Sequence, residues 1–266
     1  MINYFKYDLK QLWRNNGRAV ILLGFLSVFT YLVWVIFSLI FTGSWQAPGA
    51  GARVAFFLIG LFILVLYNTR TYGYLTEKKA GSAWLMIPAS TGEKVASMLF
   101  ITIVVIPLAY IVSYLLLDSI IALLDPTAGG SLIGGIAPLI SAINEELADA
   151  SLNGVNINWG LMLIPLTIQL IGNSLYFLLC GICFKKWKIV GAFGILLAFS
   201  MVITPIVSGL SVHFWAPYLN SLRADADASR YLIFFNSLFN WSTLIDTIWA
   251  VVMAVAIYFR VKTLKH

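Results

Sequence analysis

Long apolar stretches with almost no charge constrain this chain more than any other feature. A helix of about 20 apolar residues crosses the ~30 Å hydrocarbon core of a bilayer. Only 11% of the residues are charged, against about one quarter in a soluble domain. The sequence therefore predicts an all-α polytopic membrane protein with six transmembrane helices, at Ala19–Phe41, Val54–Thr69, Val95–Leu117, Trp159–Phe184, Ile189–Ser211 and Trp241–Phe259.

The distribution of basic residues predicts how these helices are oriented. All of the 17 Lys and Arg residues except Arg53, Arg223 and Arg230 fall on one side of the six predicted spans. Because Lys and Arg in short loops resist translocation, that side is expected to be cytoplasmic, with both termini inside. The net charge of +6 is then a topology signal and needs no nucleic-acid partner.

Residues 2–16 form an amphipathic pattern ahead of the first span. A helix here should lie in the inner headgroup layer, with its basic face toward anionic lipid. The simpler alternative is a positively charged flank without a role of its own. The apolar positions are Ile2, Phe5, Leu9 and Leu12, and the basic positions are Lys6, Lys10 and Arg14.

The segment 70–94 is charged, turn-rich and placed between spans two and three. Residues Thr76–Ile87 can form a short amphipathic helix, which Pro88 ends because proline lacks an N–H and restricts the residue before it. Ser90 followed by Glu93 predicts a capping box at the start of span three. We therefore expect a span, a short surface helix, a hinge and a second span.

Mildly polar stripes run along the first, fourth and fifth predicted spans at helical spacing. Such stripes pack helices together in membranes, and they can also line a substrate path. Both interpretations stay open on sequence grounds. The candidate path-lining residues are Ser27, Tyr31, Gln169, Asn173, Tyr176 and Thr204.

Catalytic and metal-binding chemistry is poorly supported by the residue inventory. His213 and His266 are the two histidines, Cys180 and Cys183 form a single CxxC within an apolar span, and no GxxxxGK[ST] phosphate loop occurs. We therefore predict no catalytic, cofactor or metal site in this chain. Asp118 and Asp246 lie near the outer ends of spans, where a carboxylate is either functional or simply interfacial.

The outer segments carry less information. The loop 125–158 is acidic and glycine-rich, and no chemistry can be assigned to it. The segment Val212–Asn240 is rich in aromatic residues, which prefer the membrane interface, so we expect short helices in or near the outer leaflet.

The loop after span two carries a resemblance to a known family. It reads Glu77-Lys78-Lys79-Ala80-Gly81-Ser82, then Leu85-Met86-Ile87-Pro88-Ala89-Ser90, then Glu93-Lys94. Together with six spans and an amphipathic N-terminus, this resembles the permease subunits of type-two ABC transporters. The motif covers about 18 residues, and the predicted topology covers the whole chain.

The resemblance implies a single permease domain over residues 1–266 and an ATP-driven transporter, with export as the expected direction. It further implies a bacterial cytoplasmic membrane, a second permease half that is identical or paralogous, and a separate ABC-type ATPase that binds ATP-Mg. Residues 1–18 would be the elbow helix, and 212–240 a re-entrant segment. The coupling residues toward the ATPase would be Glu77, Lys78, Gly81, Trp84, Leu85 and Pro88.

Two features depart from the family pattern, namely the long outer loop 125–158 and the amide stripe of span four. The alternative interpretation is a membrane scaffold or sensor whose cytoplasmic loop binds a regulator.

Overall fold

The computed structural model describes residues 2–77, 81, 84, 86–135, 137, 138, 141, 145, 159–202, 205, 209 and 228–264, and this part of the chain is helical without strands. The helices are α1 (Ile2–Leu12), α2 (Arg18–Gly24), α3 (Leu26–Thr42), α4 (Ala50–Thr71), α5 (Thr91–Phe100), α6 (Ile106–Leu124), α7 (Trp159–Cys183), α8 (Lys188–Val202) and α9 (Ala228–Lys262).

Five helical stretches in the described residues are long and apolar enough to cross a membrane. They are Arg18–Thr42, Ala50–Thr76, Thr91–Leu124, Leu163–Cys183 and Asn240–Lys262. These correspond to five of the six predicted spans. The predicted span Ile189–Ser211 is described as a helix only over the shorter α8, and much of its second half lies outside the described residues.

The second span begins earlier than the sequence predicted. Its helix α4 starts at Ala50, four residues before Val54, and therefore includes Arg53. The predicted span began directly after Arg53, and an isolated charge is costly in hydrocarbon. The structure places Arg53 in the helix because its charge is paired, as described below.

The third span is continuous but locally distorted. A π-helical turn, Ile101–Val105, joins α5 to α6, and Pro107 follows at the start of α6. Proline cannot donate the backbone hydrogen bond that a regular helix requires, and π-turns commonly accompany such interruptions. The span therefore changes its helical phase at this turn.

Close helix packing depends on small residues at the crossing points. A side chain at Gly181 would come within 2.3 Å of the Thr69 carbonyl oxygen, and one at Gly172 would reach Trp249. Gly60 likewise makes room for the ring of Tyr110. Small residues allow helices to approach closely in membranes, so Gly172 and Gly181 allow α7 to pack closely on α9 and α4, and Gly60 allows α4 to pack closely on α6.

The two ends of the helical bundle differ in charge. We call one the basic end, which comprises α1, residues 70–94 and the 183–188 turn. We call the other the acidic end, which comprises residues 43–53 and 118–135. Both ends carry polar clusters whose geometry defines the candidate sites.

Candidate functional site

The N-terminal helix α1 packs on the rest of the basic end through one buried face. Tyr4, Asp8 and Leu12 are buried at successive i, i+4 positions, while Lys6 and Lys10 are exposed. The helical conformation of Ile2–Leu12 agrees with the predicted amphipathic pattern, while its place in the headgroup layer stays a prediction. The buried face shares Leu12 with the predicted apolar stripe but also includes Tyr4 and Asp8. A carboxylate occupies the centre of the buried face because it finds hydrogen-bond donors there, which apolar periodicity could not indicate.

Asp8 joins three segments of the chain. Its Oδ2 accepts hydrogen bonds from the Tyr72 hydroxyl at 2.9 Å and the Ser97 hydroxyl at 2.7 Å. Tyr72 follows α4, and Ser97 lies in α5. Burial raises the pKa of Asp8, and the hydrogen bonds from Ser97 and Tyr72 partly oppose that rise. Asp8 therefore connects α1 to the spans on both sides of the 73–90 segment.

Trp84 fastens the 73–90 segment to the bundle. Its side chain is 2% exposed and belongs to the hydrophobic core. The Lys94 ammonium donates to the Trp84 carbonyl oxygen at 3.2 Å and lies 4.8 Å from the centroid of the indole ring. This places a cation–π contact beside a hydrogen bond. Trp84 thus contacts its own chain, whereas the family resemblance implied that it would meet the ATPase.

The predicted capping box at the start of α5 is confirmed. The Glu93 N–H donates to the Ser90 Oγ at 3.2 Å, and the Ser90 N–H donates to a Glu93 carboxylate oxygen at 3.1 Å. These bonds satisfy two N–H groups that a helix start leaves free. The first turn of the third span is therefore firmly defined.

The outward side of the same segment is formed by a different set of residues. Glu77 and Pro88 are exposed, and Met86 is 85% exposed. Gly81 is buried, and its N–H donates to the Glu77 carbonyl oxygen at 2.8 Å. Lys78 and Leu85, the other predicted coupling residues, lie outside the described residues.

The candidate path-lining residues occupy separate places in the described structure. Ser27 is buried and donates to the Gly24 carbonyl oxygen, while Tyr31 donates to Asp125. Tyr176 donates to the Ala192 carbonyl oxygen at 2.7 Å and packs on Trp249.

Of the remaining path-lining candidates, Gln169 is exposed, Asn173 is half-buried, and Thr204 lies outside the described residues. The contacts of Tyr31 and Tyr176 join different elements, as in helix packing, one of the two interpretations left open by the sequence, whereas the Ser27 hydrogen bond stays within its own span.

A buried ion pair lies at the acidic end. Arg53 and Asp118 approach to 3.2 Å, and both side chains are almost completely buried. Arg53 also donates to the carbonyl oxygens of Gly130 at 3.0 Å and Ala128 at 2.9 Å, and Asp118 accepts from the Leu132 N–H at 2.6 Å. The pair therefore holds α4, α6 and the start of the outer loop together.

A second carboxylate extends this acidic-end network. Asp125 accepts hydrogen bonds from the Tyr31 hydroxyl at 2.5 Å, the Trp45 indole N–H at 2.9 Å and the Thr127 N–H at 2.9 Å. The hydrogen bond from Tyr31 contributes most to lowering the pKa of Asp125, which stays ionised. Asp118 and Asp125 thus tie the first three spans together at this end.

The other sequence candidates form no further site among the described residues. Cys180 is buried and Cys183 exposed, and both are free thiols. Asp246 accepts a hydrogen bond from Ser242 on its own helix. The described residues contain no group of three or more His, Cys, Asp or Glu side chains that could hold a metal ion.

Comparison with protein-family models, with curated proteins and with solved structures finds no match for this chain. The fold and the apolar helices define a helical membrane protein. We therefore propose its membrane topology, partners and activity below, from the geometry of the basic and acidic ends.

Proposed function

We propose that this chain is the permease subunit of an ATP-driven transporter, powered by a separate ABC-type ATPase that docks at the basic end. The proposal rests on which side chains of the 73–90 segment are exposed and which are buried. Glu77 and Met86 are exposed on it, while Trp84 is buried in the core of the same chain. A partner that moves this surface would also move the spans that anchor it.

Three connections make the segment suited to transmitting force. Trp84 is held by Lys94 at the start of α5, Ser90 caps that helix, and Asp8 links Tyr72 to Ser97. A slack loop would dissipate a displacement, whereas these bonds join the segment to the second and third spans. The resemblance of the segment's sequence to type-two ABC permeases supports the same interpretation.

In this proposal the basic end faces the cytoplasm, the chain has six spans, and a second permease half completes the transport path. The cytoplasmic assignment rests on the distribution of Lys and Arg. The sixth span would be completed by residues after Val202. Export is the proposed direction, and the hydrolysed ATP-Mg belongs to the partner.

Affinity purification in mild detergent tests the proposal. We expect an ABC-type ATPase to co-purify with the tagged chain and to be lost on Glu77→Arg, with thermal unfolding of the tagged chain unchanged because Glu77 is exposed. Glu145→Arg is the matched control, since Glu145 is also exposed but follows the acidic end in sequence. Recovery of a regulator in place of an ATPase would support the scaffold or sensor alternative.

A further inference from the structure

A basic cavity lies at the basic end, between the last turn of α4 and the turn that joins α7 to α8. Its volume is about 330 Å³, within the range of small-ligand pockets. Three cationic side chains line it, and no acidic residue lines it among those described. The lining residues are Thr69, Arg70, Lys185, Trp187, Lys188, Ile189 and Val190.

The turn that forms one wall of the cavity has an unusual backbone. Trp187 has a φ of +55°, the single positive φ at a non-glycine position among the described residues. The left-handed region is unfavourable for a bulky residue, because its Cβ approaches the backbone too closely. Strained residues of this kind cluster at functional sites. Lys188, which follows Trp187, donates a hydrogen bond from its ammonium to the Gly73 carbonyl oxygen and so joins this turn to the 73–76 turn.

The cavity is lined by cationic side chains and also by exposed apolar side chains. Arg70 and Lys185 are exposed, and Lys188 is half-buried. The indole of Trp187 is 78% exposed, and Val190, at the start of an apolar helix, is 61% exposed. Tryptophan side chains favour the headgroup level of a bilayer, so we expect the cavity to open where headgroups and the first acyl methylenes meet.

From this geometry we infer that the cavity binds the headgroup of an anionic phospholipid from the leaflet at the basic end. The phosphate would lie between Arg70 and Lys185, and the glycerol and upper acyl chain would lie against Trp187 and Val190. Basic pockets between membrane helices bind anionic headgroups in this way. A free phosphate would use the cations but would leave the apolar half of the cavity uncovered. The inference does not depend on the proposed transport function.

Native mass spectrometry of the detergent-purified chain tests this site, with phosphatidylglycerol and phosphatidylcholine added in separate titrations. We expect phosphatidylglycerol to be retained in preference to phosphatidylcholine. Arg70→Gln combined with Lys185→Gln should weaken phosphatidylglycerol retention roughly tenfold or more. Both side chains are exposed, so the fold should be kept, and Lys185→Gln alone provides a milder version of the same test.

Lys186→Gln is the matched control, because Lys186 is an exposed cation in the same turn but does not line the cavity. An equal loss of phosphatidylglycerol in this control would overturn the inference, since it would show attraction to general surface charge. Equal retention of phosphatidylcholine would also overturn it. A third contrary result would be displacement of bound phosphatidylglycerol by millimolar inorganic phosphate, which would identify a simple anion site.

Discussion

The two ends of the bundle are held together by different kinds of polar contact. At the acidic end, Arg53 and Asp118 form a buried ion pair that also makes hydrogen bonds with the backbone of residues 128–132. At the basic end, the buried carboxylate of Asp8 is held by the neutral hydroxyls of Tyr72 and Ser97. The first arrangement opposes separation of the helices strongly, because parting them would leave a charge buried and unpaired.

This difference indicates which end can move. Hydrogen bonds to a carboxylate can be exchanged for water at modest free-energy cost, while a dry ion pair cannot be opened without a large penalty. The acidic end is therefore the fixed part of the first three spans. The basic end is the part that a docked partner could displace, as the proposed function requires.

Breaking the acidic-end ion pair should have the largest effect. Arg53→Ala leaves Asp118 buried without its cation, so we expect a loss of about 3–5 kcal/mol in stability. Thermal unfolding in detergent measures it. Lys10→Ala, which removes an exposed cation, should change little. Adding Asp118→Leu to Arg53→Ala should recover much of the loss. Failure to recover would show that lost packing and lost hydrogen bonds to the backbone of residues 128–132, not the unpaired charge, account for the destabilisation.

Removing the anchor of the basic-end segment should have the next largest effect. Trp84→Ala empties a core position, and truncation of a buried Trp costs about 3–5 kcal/mol in soluble proteins. We expect a loss within that range, because Trp84 is 2% exposed and belongs to the hydrophobic core. Trp187→Ala is the control, since that indole is 78% exposed. Equal destabilisation by the two substitutions would contradict the assignment of Trp84 as an anchor.

Loss of the capping box should have a smaller effect. Ser90→Ala removes the acceptor for the Glu93 N–H, at a cost of about 1 kcal/mol. Ser90→Asp keeps an acceptor at the N-cap and should retain most of the stability. Thermal unfolding of the two variants shows whether stability is lost because the cap is missing or because any substitution at this exposed position lowers it.

The smallest change at neutral pH is expected from Asp8→Asn, which keeps an oxygen acceptor but removes the charge. Because burial raises the pKa of Asp8 in the folded state, this group favours folding most below its unfolded pKa. The contribution falls as pH rises through the folded pKa. The wild-type chain should therefore gain stability from neutral toward mildly acidic pH relative to Asp8→Asn. Parallel pH profiles for the two proteins would exclude Asp8 as the titrating group.

The sequence predicted the local features of this protein better than its long-range polar contacts. Helical apolar runs and the Ser90–Glu93 cap are encoded within a few residues, and the structure confirms them in the part of the chain it describes. Arg53 and Asp118 are 65 residues apart in sequence. With one sequence, their pairing had no local signal, although an arginine near the start of an apolar run was itself a clue.

The position of Trp84 shows a related limit. Amphipathic spacing indicated that one side of the 76–87 segment is apolar, but it could not show whether that side meets a partner or the chain's own core. The structure places Trp84 in the core and leaves Met86 exposed. Which face of a surface helix is buried depends on the neighbouring spans, and their arrangement is not encoded in the segment.

The most direct test of the proposed function is site-specific crosslinking from the exposed face of the 73–90 segment. A photoreactive amino acid at Met86, which is 85% exposed, should crosslink to the co-purifying ATPase in native membranes, whereas one at Ile133, which is 60% exposed at the acidic end, should not. A crosslink from position 86 to an ABC-type ATPase is the result we predict. Absence of that crosslink while the ATPase still co-purifies, or an equal crosslink from position 133, would contradict docking at the basic end.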